Sequence, residues 1–324
     1  MSNASFDLHD LVIRAHRADF VTWEGRERLR LENGLALVDG LGVTDGRVEV
    51  LVGTEGPAYP GIAFRVADVL NYELAYAVPH VSGQWDALQY DPVFHGSNTW
   101  QLYHGPGYQR EAQVPTDRWF RLRVDFRGDR AAVAVDGQPP LIVPQLARST
   151  QTGAIGLWTF RPAYFSDFHV SGYHGGPFSS ADIPGPPPGC VETWFLEGIG
   201  VVGPEPNGVI NLNRYLPIST QKARLVRRFQ VPEGQEVAFE FGFSDRLSLR
   251  LDGDTVYEGE NTFSGFENRA ARGYVEVGTA SHRQILPAGD HSLTAELEVA
   301  EGFGWGMVLV ASGPELHWFP PDLG

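Results

Sequence analysis

The stretch RLRVDFRGDRAAVAVDG, Arg121 to Gly137, constrains the fold more than any other feature of the chain. Apolar and polar residues alternate on each side of Arg127-Gly128-Asp129, and a second turn, Asp136-Gly137, closes the run. Period two places successive side chains on opposite faces of an extended strand, and glycine-bearing turns reverse the chain between such strands. The same habit predicts strands near Leu35–Leu37, Asp45–Gly53, Gly61–Asp68, Tyr72–Val78, Asp86–Tyr90 and Trp100–Tyr103. Further ones fall at Trp119–Arg127, Arg130–Val135, Ala154–Thr159 and Tyr164–Val170. In the C-terminal half, ARLVRRFQVPEGQEVAFEFGFSDRLSLRLDGDTVYEG reads as four strands with Pro-Glu-Gly and Asp-Gly turns, and RQILPAGDHSLTAELEVAEGFGWGMVLVAS adds three more. Phe6–His16 and the region around Lys222 are the helix candidates. With 38 Gly and 23 Pro among 324 residues, turn chemistry is plentiful enough for an all-β chain.

One segment breaks the alternation. SGYHGGPFSSADIPGPPPGC, Ser171 to Cys190, is dominated by Gly, Pro and Ser, and PGPPPG favours an extended connector. The expected organisation is therefore a β-sandwich over residues 1–172, a linker over 173–190 and a second β-sandwich over 191–324. No repeat of fixed period points to a solenoid or propeller.

Charge narrows the partners. Forty acidic residues against 25 basic ones give a net charge of −15. Nucleic acid and anionic membrane both require a basic footprint, so neither is an expected partner. A single cysteine, Cys190, makes no intramolecular disulfide and no cysteine-rich zinc site. The N-terminus MSNASFDLHDLVIRAH has no basic segment followed by an apolar one, and no stretch approaches the ~20 apolar residues of a membrane span. A reduced, cytoplasmic setting is the expectation.

Several segments together resemble the concanavalin A-like lectin/glucanase superfamily in its laminin-G-like bacterial branch. They are DGRVEVLVGTEGPAYPGIAFRV, NYELAYAVPH, DALQYDPVFHGSNTWQLYHGPGY, DRWFRLRVDFRGDRAAVAVDG and GAIGLWTF. The likeness spans about residues 20–172 and implies a sandwich with a concave ligand-binding face; the superfamily includes lectins, glycosidases, lyases and inert adhesion modules. Where that branch often carries an arginine before a Pro-His pair, this chain has Val78. RRFQVPEGQEVAFEFGFSDRLSLRLDGDTVYEG and LPAGDHSLTAEL are similar to a galactose-binding-like jelly roll, over about residues 191–316. The implied architecture is a concanavalin A-like sandwich followed by a jelly-roll domain.

Candidate ligand contacts cluster between Asn71 and Tyr108, where tyrosine, tryptophan and histidine gather. Arg65, Glu73, Gln89 and Gln101 occupy polar positions of alternating strands and would converge on one face if those strands are neighbours. Tyr76, His80, Trp85 and Trp100 would supply rings and rim contacts. Sugar hydroxyls need fixed donors and acceptors, and sugar C–H faces stack on aromatic planes. His80, His95 and His104 are spaced by 15 and 9 residues, which fits no local metal motif.

Glycosidic hydrolysis needs two carboxyl groups flanking the bond. The E-x-D-x-E strand motif of one glucanase branch is absent, and Glu73 with Asp86 or Asp91 is the best available pair. A Tyr or His acid/base would draw on Tyr76, Tyr90 or His80. GIGVVG at Gly198–Gly203 matches a dinucleotide fingerprint in letters only, since PEPNG follows where a helix would have to open. LDGDTVYEGEN offers Asp252 and Asp254, beside Glu258 and Glu260, for a structural calcium; no other cofactor is expected. EGFGWGM sets Trp305 between glycines, as an exposed aromatic platform or a ring packed at an interdomain seam. The expected function is binding of a carbohydrate or other polyhydroxylated ligand on the first sandwich. The alternatives are a cytosolic enzyme in the same cleft, whether glycoside hydrolase, lyase or catalyst on a non-sugar small molecule, and an assembly protein joined through its aromatic faces.

Overall fold

The structure is a computed structural model that describes residues 4–23, 25–176, 178, 185–217, 219–263 and 272–321. The chain divides into two compact units: Met1–Gly96 with Tyr103–Ile183, and Ser97–Leu102 with Pro184–Gly324. Part of the expected linker, residues 179–184, lies outside the described residues. Among the described residues no helix is long and apolar enough to cross a membrane.

The first unit is a β-sandwich. Its strands are β1 (Ala4–Phe6), β2 (Val12–Trp23), β3 (Arg26–Leu37), β4 (Gly46–Gly53), β5 (Pro60–Asp68), β6 (Asn71–Ala77) and β7 (Leu88–Tyr90). They continue with β8 (Gln109–Arg110), β9 (Phe120–Arg127), β10 (Arg130–Val135), β11 (Leu141–Val143), β12 (Ala154–Thr159) and β13 (Ala163–Ser171). Hydrogen bonding runs continuously in the order β11-β10-β9-β4-β13-β3-β12-β5-β6-β7-β8.

Strand β3 belongs to both layers. Leu29–Leu31 pairs with β13, whereas Leu35–Leu37 pairs with β12. Between them Asn33 (φ 49°) and Gly34 (φ 146°) turn the strand. A Cβ on Gly34 would sit 2.4 Å from the Ala15 Cα, so the corner accepts only glycine. The sheet folds over here, and Phe64 of β5 packs on Phe126 of β9 with ring centroids 5.0 Å apart.

Phe6–His16 is not a helix. Phe6 ends β1, Leu8–Asp10 makes one 3-10 turn, and Val12 opens a twelve-residue strand paired with β3 from Val12↔Leu37 to Trp23↔Arg26. Long-range pairing overrides the local helical spacing there. Trp100–Tyr103 is not a strand either: Leu102 N donates to Thr99 O (2.9 Å) in a turn.

The second unit is also a sandwich of antiparallel sheets. The larger contains β14 (Trp194–Leu196), β15 (Gly200–Val202), β17 (Lys222–Val231), β19 (Arg246–Leu251), β20 (Asp254–Glu260), β22 (Gly289–Glu298) and β24 (His317–Trp318). The smaller, in the order β16-β23-β18-β21, comprises Ile210–Asn211, Gly306–Ser312, Gln235–Ser244 and Ala280–Leu286. The region around Lys222 is thus a strand, with burial alternating residue by residue. Phe229 of β17 faces Phe239 of β18 at 6.1 Å, inside a core that also holds Leu249, Leu297, Met307 and Leu309. Trp305 is buried in this core. Cys190 is half-buried, and burial, with Glu192 nearby, pushes its thiol up to about 11, so it stays protonated at neutral pH.

Ser97–Leu102 is part of this second unit. Gln101 N donates to Phe303 O (3.1 Å), Val275 N donates to Gln101 O (3.0 Å), and the Gln101 amide donates to Arg272 O (3.0 Å). The Ser244 hydroxyl oxygen lies 3.1 Å from Gln101 Oε1. The Trp100 ring lies 5.6–5.7 Å from Phe263, Tyr274 and Phe303.

One buried histidine links this unit's stability to pH. His291 Nδ1 lies 2.7 Å from Asp252 Oδ2 and Nε2 lies 3.0 Å from Pro287 O. Burial alone would lower its pKa, but the two acceptors and the nearby Asp290 outweigh it, and the net shift is upward. The folded state therefore holds the proton more tightly, and the stabilisation is complete below the ordinary value of 6.5 and lost as pH rises through the folded pKa. Denaturant midpoints should fall as pH is raised from mildly acidic to alkaline, and His291→Gln should flatten that dependence. An unchanged slope in the variant would assign the effect elsewhere.

Candidate functional site

Strand parity sorts the predicted contacts of the first unit. Register partners Phe64↔Glu73 and Ala75↔Tyr90 lie on the face turned toward β9, whereas Ala63↔Leu74, Gly61↔Tyr76 and Tyr76↔Gln89 lie on the opposite, outer face. The apolar residues Tyr72, Leu74 and Tyr76 therefore point outward and Glu73 inward, the reverse of a simple apolar-inside reading. The outer cluster also includes Leu35, Ala63, Val66 and Trp158, with Val78, Val81 and Val93 of adjoining loops packed against it. Burial, with Asp91 nearby, pushes the Tyr72 phenol up.

Arg65 reaches the interior by a different route. It sits at φ 48°, where pairing shifts register against both β6 and β12. Such a bulge turns two successive side chains to one side. Gly153 makes room for it, since a Cβ there would lie 2.4 Å from the Arg65 carbonyl carbon. The guanidinium donates to Thr44 O and Gly128 O and lies 3.8 Å from Asp45. Burial lowers its pKa, against the pull of Glu73 and Asp45.

Glu73 is fully buried. Tyr90 donates to its Oε2 at 2.6 Å and the Arg148 backbone N–H to its Oε1 at 2.9 Å, while Ala147 N donates to the Tyr90 oxygen at 2.6 Å. Burial raises the Glu73 pKa, opposed by Tyr90, Arg148 and Arg65; burial and the Glu73 charge also raise Tyr90. Both carboxyl oxygens are engaged and sealed from solvent, so this cluster joins the two layers. It does not present an acid or base to a ligand. Arg65, Glu73, Gln89 and Gln101 consequently do not converge: the first two are interior, Gln89 is on the outer face, and Gln101, like Trp100, belongs to the second unit.

The outer face carries a polar array beside a series of rings. Tyr76 OH and the Gln109 amide both donate to Gln89 Oε1 (3.1 and 3.3 Å), and the Gln89 amide donates to Asp86 O at 3.0 Å. Asp86 and Asp91 are buried at either end of β7. From Trp158 the rings pass to Tyr76 (5.5 Å), Tyr59 (6.2 Å) and Phe160 (5.9 Å), with His80 5.0 Å from Tyr59. Trp158 and Tyr76 are buried, Tyr59 is half-buried and Phe160 is 46% exposed. Trp85 is 47% exposed. Tyr59, Gln109, Trp158 and Phe160 escaped the sequence reading. Trp158-Thr159-Phe160, at the end of the paired segment GAIGLWTF, held the available signal.

No family model matches this chain, and no curated protein does. Solved structures give a partial likeness. A carbohydrate-binding module from Bacillus subtilis shares 15% identity over 52% of this chain and 96% of its own, with a TM-score of 0.37. A galectin-like protein of unknown function from the same organism shares 12% identity over 48% of this chain and 86% of its own, at 0.35. A Bacillus licheniformis beta-glucanase shares 11% identity over 53% of this chain and 92% of its own, at 0.32. At these identities and scores neither ligand nor reaction transfers to this chain.

The second unit holds a groove of about 750 Å³ over the outer face of its larger sheet. Outward positions alternate in charge from strand to strand: Lys222 and Arg224 on β17, Glu296 and Glu298 on β22, Arg246 and Arg250 on β19, Glu258 and Glu260 on β20. The outward residues of KARL, RLSLR and AELE are its sequence signal. Asp252 lies elsewhere, with Oδ2 against His291 and Oδ1 accepting from Ser292 N (2.7 Å), and Asp254 is exposed at the start of β20. Among the described residues no group of three His, Cys, Asp or Glu side chains could hold a metal ion.

Proposed function

We propose that this protein binds a carbohydrate or a similarly polyhydroxylated ligand at the aromatic outer face of the first unit. The observation that carries the reading is the ring series that ends in exposed Phe160 and half-buried Tyr59, beside the hydrogen-bonded amides of Gln89 and Gln109. Exposed aromatic rings held by neighbouring rings are the stacking surfaces that sugar C–H faces use, and the buried Gln89–Gln109 amide network fixes Tyr76 beneath them. His80 packs edge-on against Tyr59 of the series, and exposed Trp85 lies in the loop that leads into β7. Binding rather than turnover is favoured because Glu73, the carboxylate on which a catalytic pair would rest, has both oxygens engaged inside the sandwich.

The test is calorimetric titration of the full chain with neutral oligosaccharides, followed by mass spectrometry of the recovered ligand. Phe160→Ala and Trp85→Ala remove exposed rings and should leave the fold intact while weakening binding at least about tenfold, the scale of one lost stacking contact. A ligand recovered as product would replace the binding reading with an enzymatic one. Silence across the oligosaccharides, or binding indifferent to both substitutions, would remove this face from consideration.

A further inference from the structure

The groove of the second unit is incompletely paired in a way that describes a ligand. A cross-strand ladder of opposite charges would by itself stabilise an exposed sheet, and some of these contacts do only that. Lys222 and Glu298 meet at 3.1 Å, Arg246 and Glu260 at 2.9 Å, and Arg224 and Glu197 at 3.4 Å. The centre of the groove is different. Glu258 has no cationic partner among the described residues, and Glu296 is approached only at 3.7 Å by Arg250 and 3.9 Å by Arg224. Between them on β19 lies Ser248, the register partner of both glutamates. Its hydroxyl is covered by the long side chains around it and has no hydrogen-bond partner.

Three acceptors are therefore grouped over one short residue. Strands in a sheet lie about 4.8 Å apart, so the Glu258 and Glu296 Cα atoms flank Ser248 at a mutual separation of about 10 Å. Two glutamate side chains at that separation can share one small cation, which reaches the Ser248 oxygen by parting the side chains that cover it. An ammonium group has three N–H donors, which matches two carboxylates and a hydroxyl. Arg246 and Arg250, on the same strand as Ser248, offer forked donors to either side, suited to hydroxyl or ring oxygens. Among the described residues no aromatic side chain lines the groove, so a neutral sugar would find no stacking surface on them.

We infer that this groove is a second binding site, distinct from the aromatic face of the first unit, for a saccharide carrying a free amino group. The ammonium sits over Ser248 between Glu258 and Glu296, and the neighbouring hydroxyls accept from Arg246 and Arg250. The volume of about 750 Å³ accommodates a short oligomer rather than a single sugar ring.

The test titrates the full chain carrying Phe160→Ala and Trp85→Ala, which remove the exposed rings of the first unit, at mildly acidic pH, with a glucosamine trisaccharide bearing free amines and with its fully N-acetylated counterpart. Variants Glu258→Gln and Glu296→Gln are exposed surface changes, and an unaltered melting temperature without ligand verifies that they fold. The expected result is binding of the free-amine trisaccharide, at least about tenfold weaker binding in each variant, and no comparable binding of the acetylated form. Because that background lacks the rings of the first unit, the binding read out is that of the groove alone. Three results would overturn the inference. One is equal binding of the acetylated trisaccharide. Another is binding insensitive to Glu258→Gln, as general attraction to a net charge of −15 would produce. The last is no binding of either probe.

Discussion

Glu73→Ala is expected to destabilise the first unit by about 3–5 kcal/mol. The substitution removes the acceptor for two buried donors, the Tyr90 hydroxyl and the Arg148 backbone N–H, and leaves a space the size of a carboxymethyl group between the layers. Each unsatisfied buried donor costs about 1–3 kcal/mol, and the cavity adds to that. The Arg65 guanidinium would lose its fully buried negative neighbour as well. Tyr90→Phe should cost less, about 1–3 kcal/mol, because it removes two hydrogen bonds, to Glu73 and from Ala147 N, but keeps the ring. Denaturant unfolding gives the magnitude, and hydrogen exchange should report lost protection in β6, in β7 and around Ala147–Arg148. A loss below about 1 kcal/mol would mean that water enters and satisfies the freed donors, contrary to a sealed cluster.

The second large effect is expected at Asp245, which is fully buried in the second unit. Its Oδ2 accepts from the backbone N–H groups of Ala300 and Glu301, both at 2.6 Å, and its Oδ1 accepts from the Ser244 hydroxyl at 2.7 Å. Ser244 in turn contacts Gln101, and the Asp245 carbonyl accepts from Asn261 N at 2.7 Å. Asp245 thus fixes the loop that leads into β23 and the Ser97–Leu102 segment together. Asp245→Ala should cost about 2–4 kcal/mol by removing the buried acceptor of two backbone amides and of the Ser244 hydroxyl. Asp245→Asn, which retains one carbonyl oxygen, should recover part of that loss. The diagnostic readout is exchange at the Ala300 and Glu301 amides: rapid exchange in the alanine variant with an otherwise protected β18 supports the assignment. Unchanged protection there would show that other groups hold the loop.

The two effects arise from polar residues whose roles were differently legible. Glu73 was singled out because it is a charged residue in a strand of aromatic character, and the sequence contained that much. Its direction was not legible. Alternation in NYELAYA shows that Glu73 and Ala75 share one face and Tyr72, Leu74 and Tyr76 the other, but not which face meets the second layer. Both faces of this strand are buried, so apolar character does not distinguish them. At Arg65 the alternation itself breaks, because a left-handed residue inserts a bulge that no local pattern in GIAFRV announces. Trp100 and Gln101 read as strand residues of the first sandwich since nothing nearby is unlike a strand; their partners at Arg272, Val275 and Phe303 are some 170 to 200 positions away.

By itself the sequence determined the class of the protein. Period-two patterning with Gly and Pro turns required antiparallel sheets, and a Pro/Gly-rich break separated two cores, because these preferences are local and act within a few residues of the chain. Tertiary structure decided which face of each strand became the interior, where β3 passes from one layer to the other, and to which unit Ser97–Leu102 belongs. It also decided that Phe160, Tyr59, Tyr76 and Trp158 form one ring series, and that Glu258 and Glu296 flank Ser248. Such relations depend on strand register and layer packing between residues distant in sequence, and hydrophobic periodicity carries no information about either.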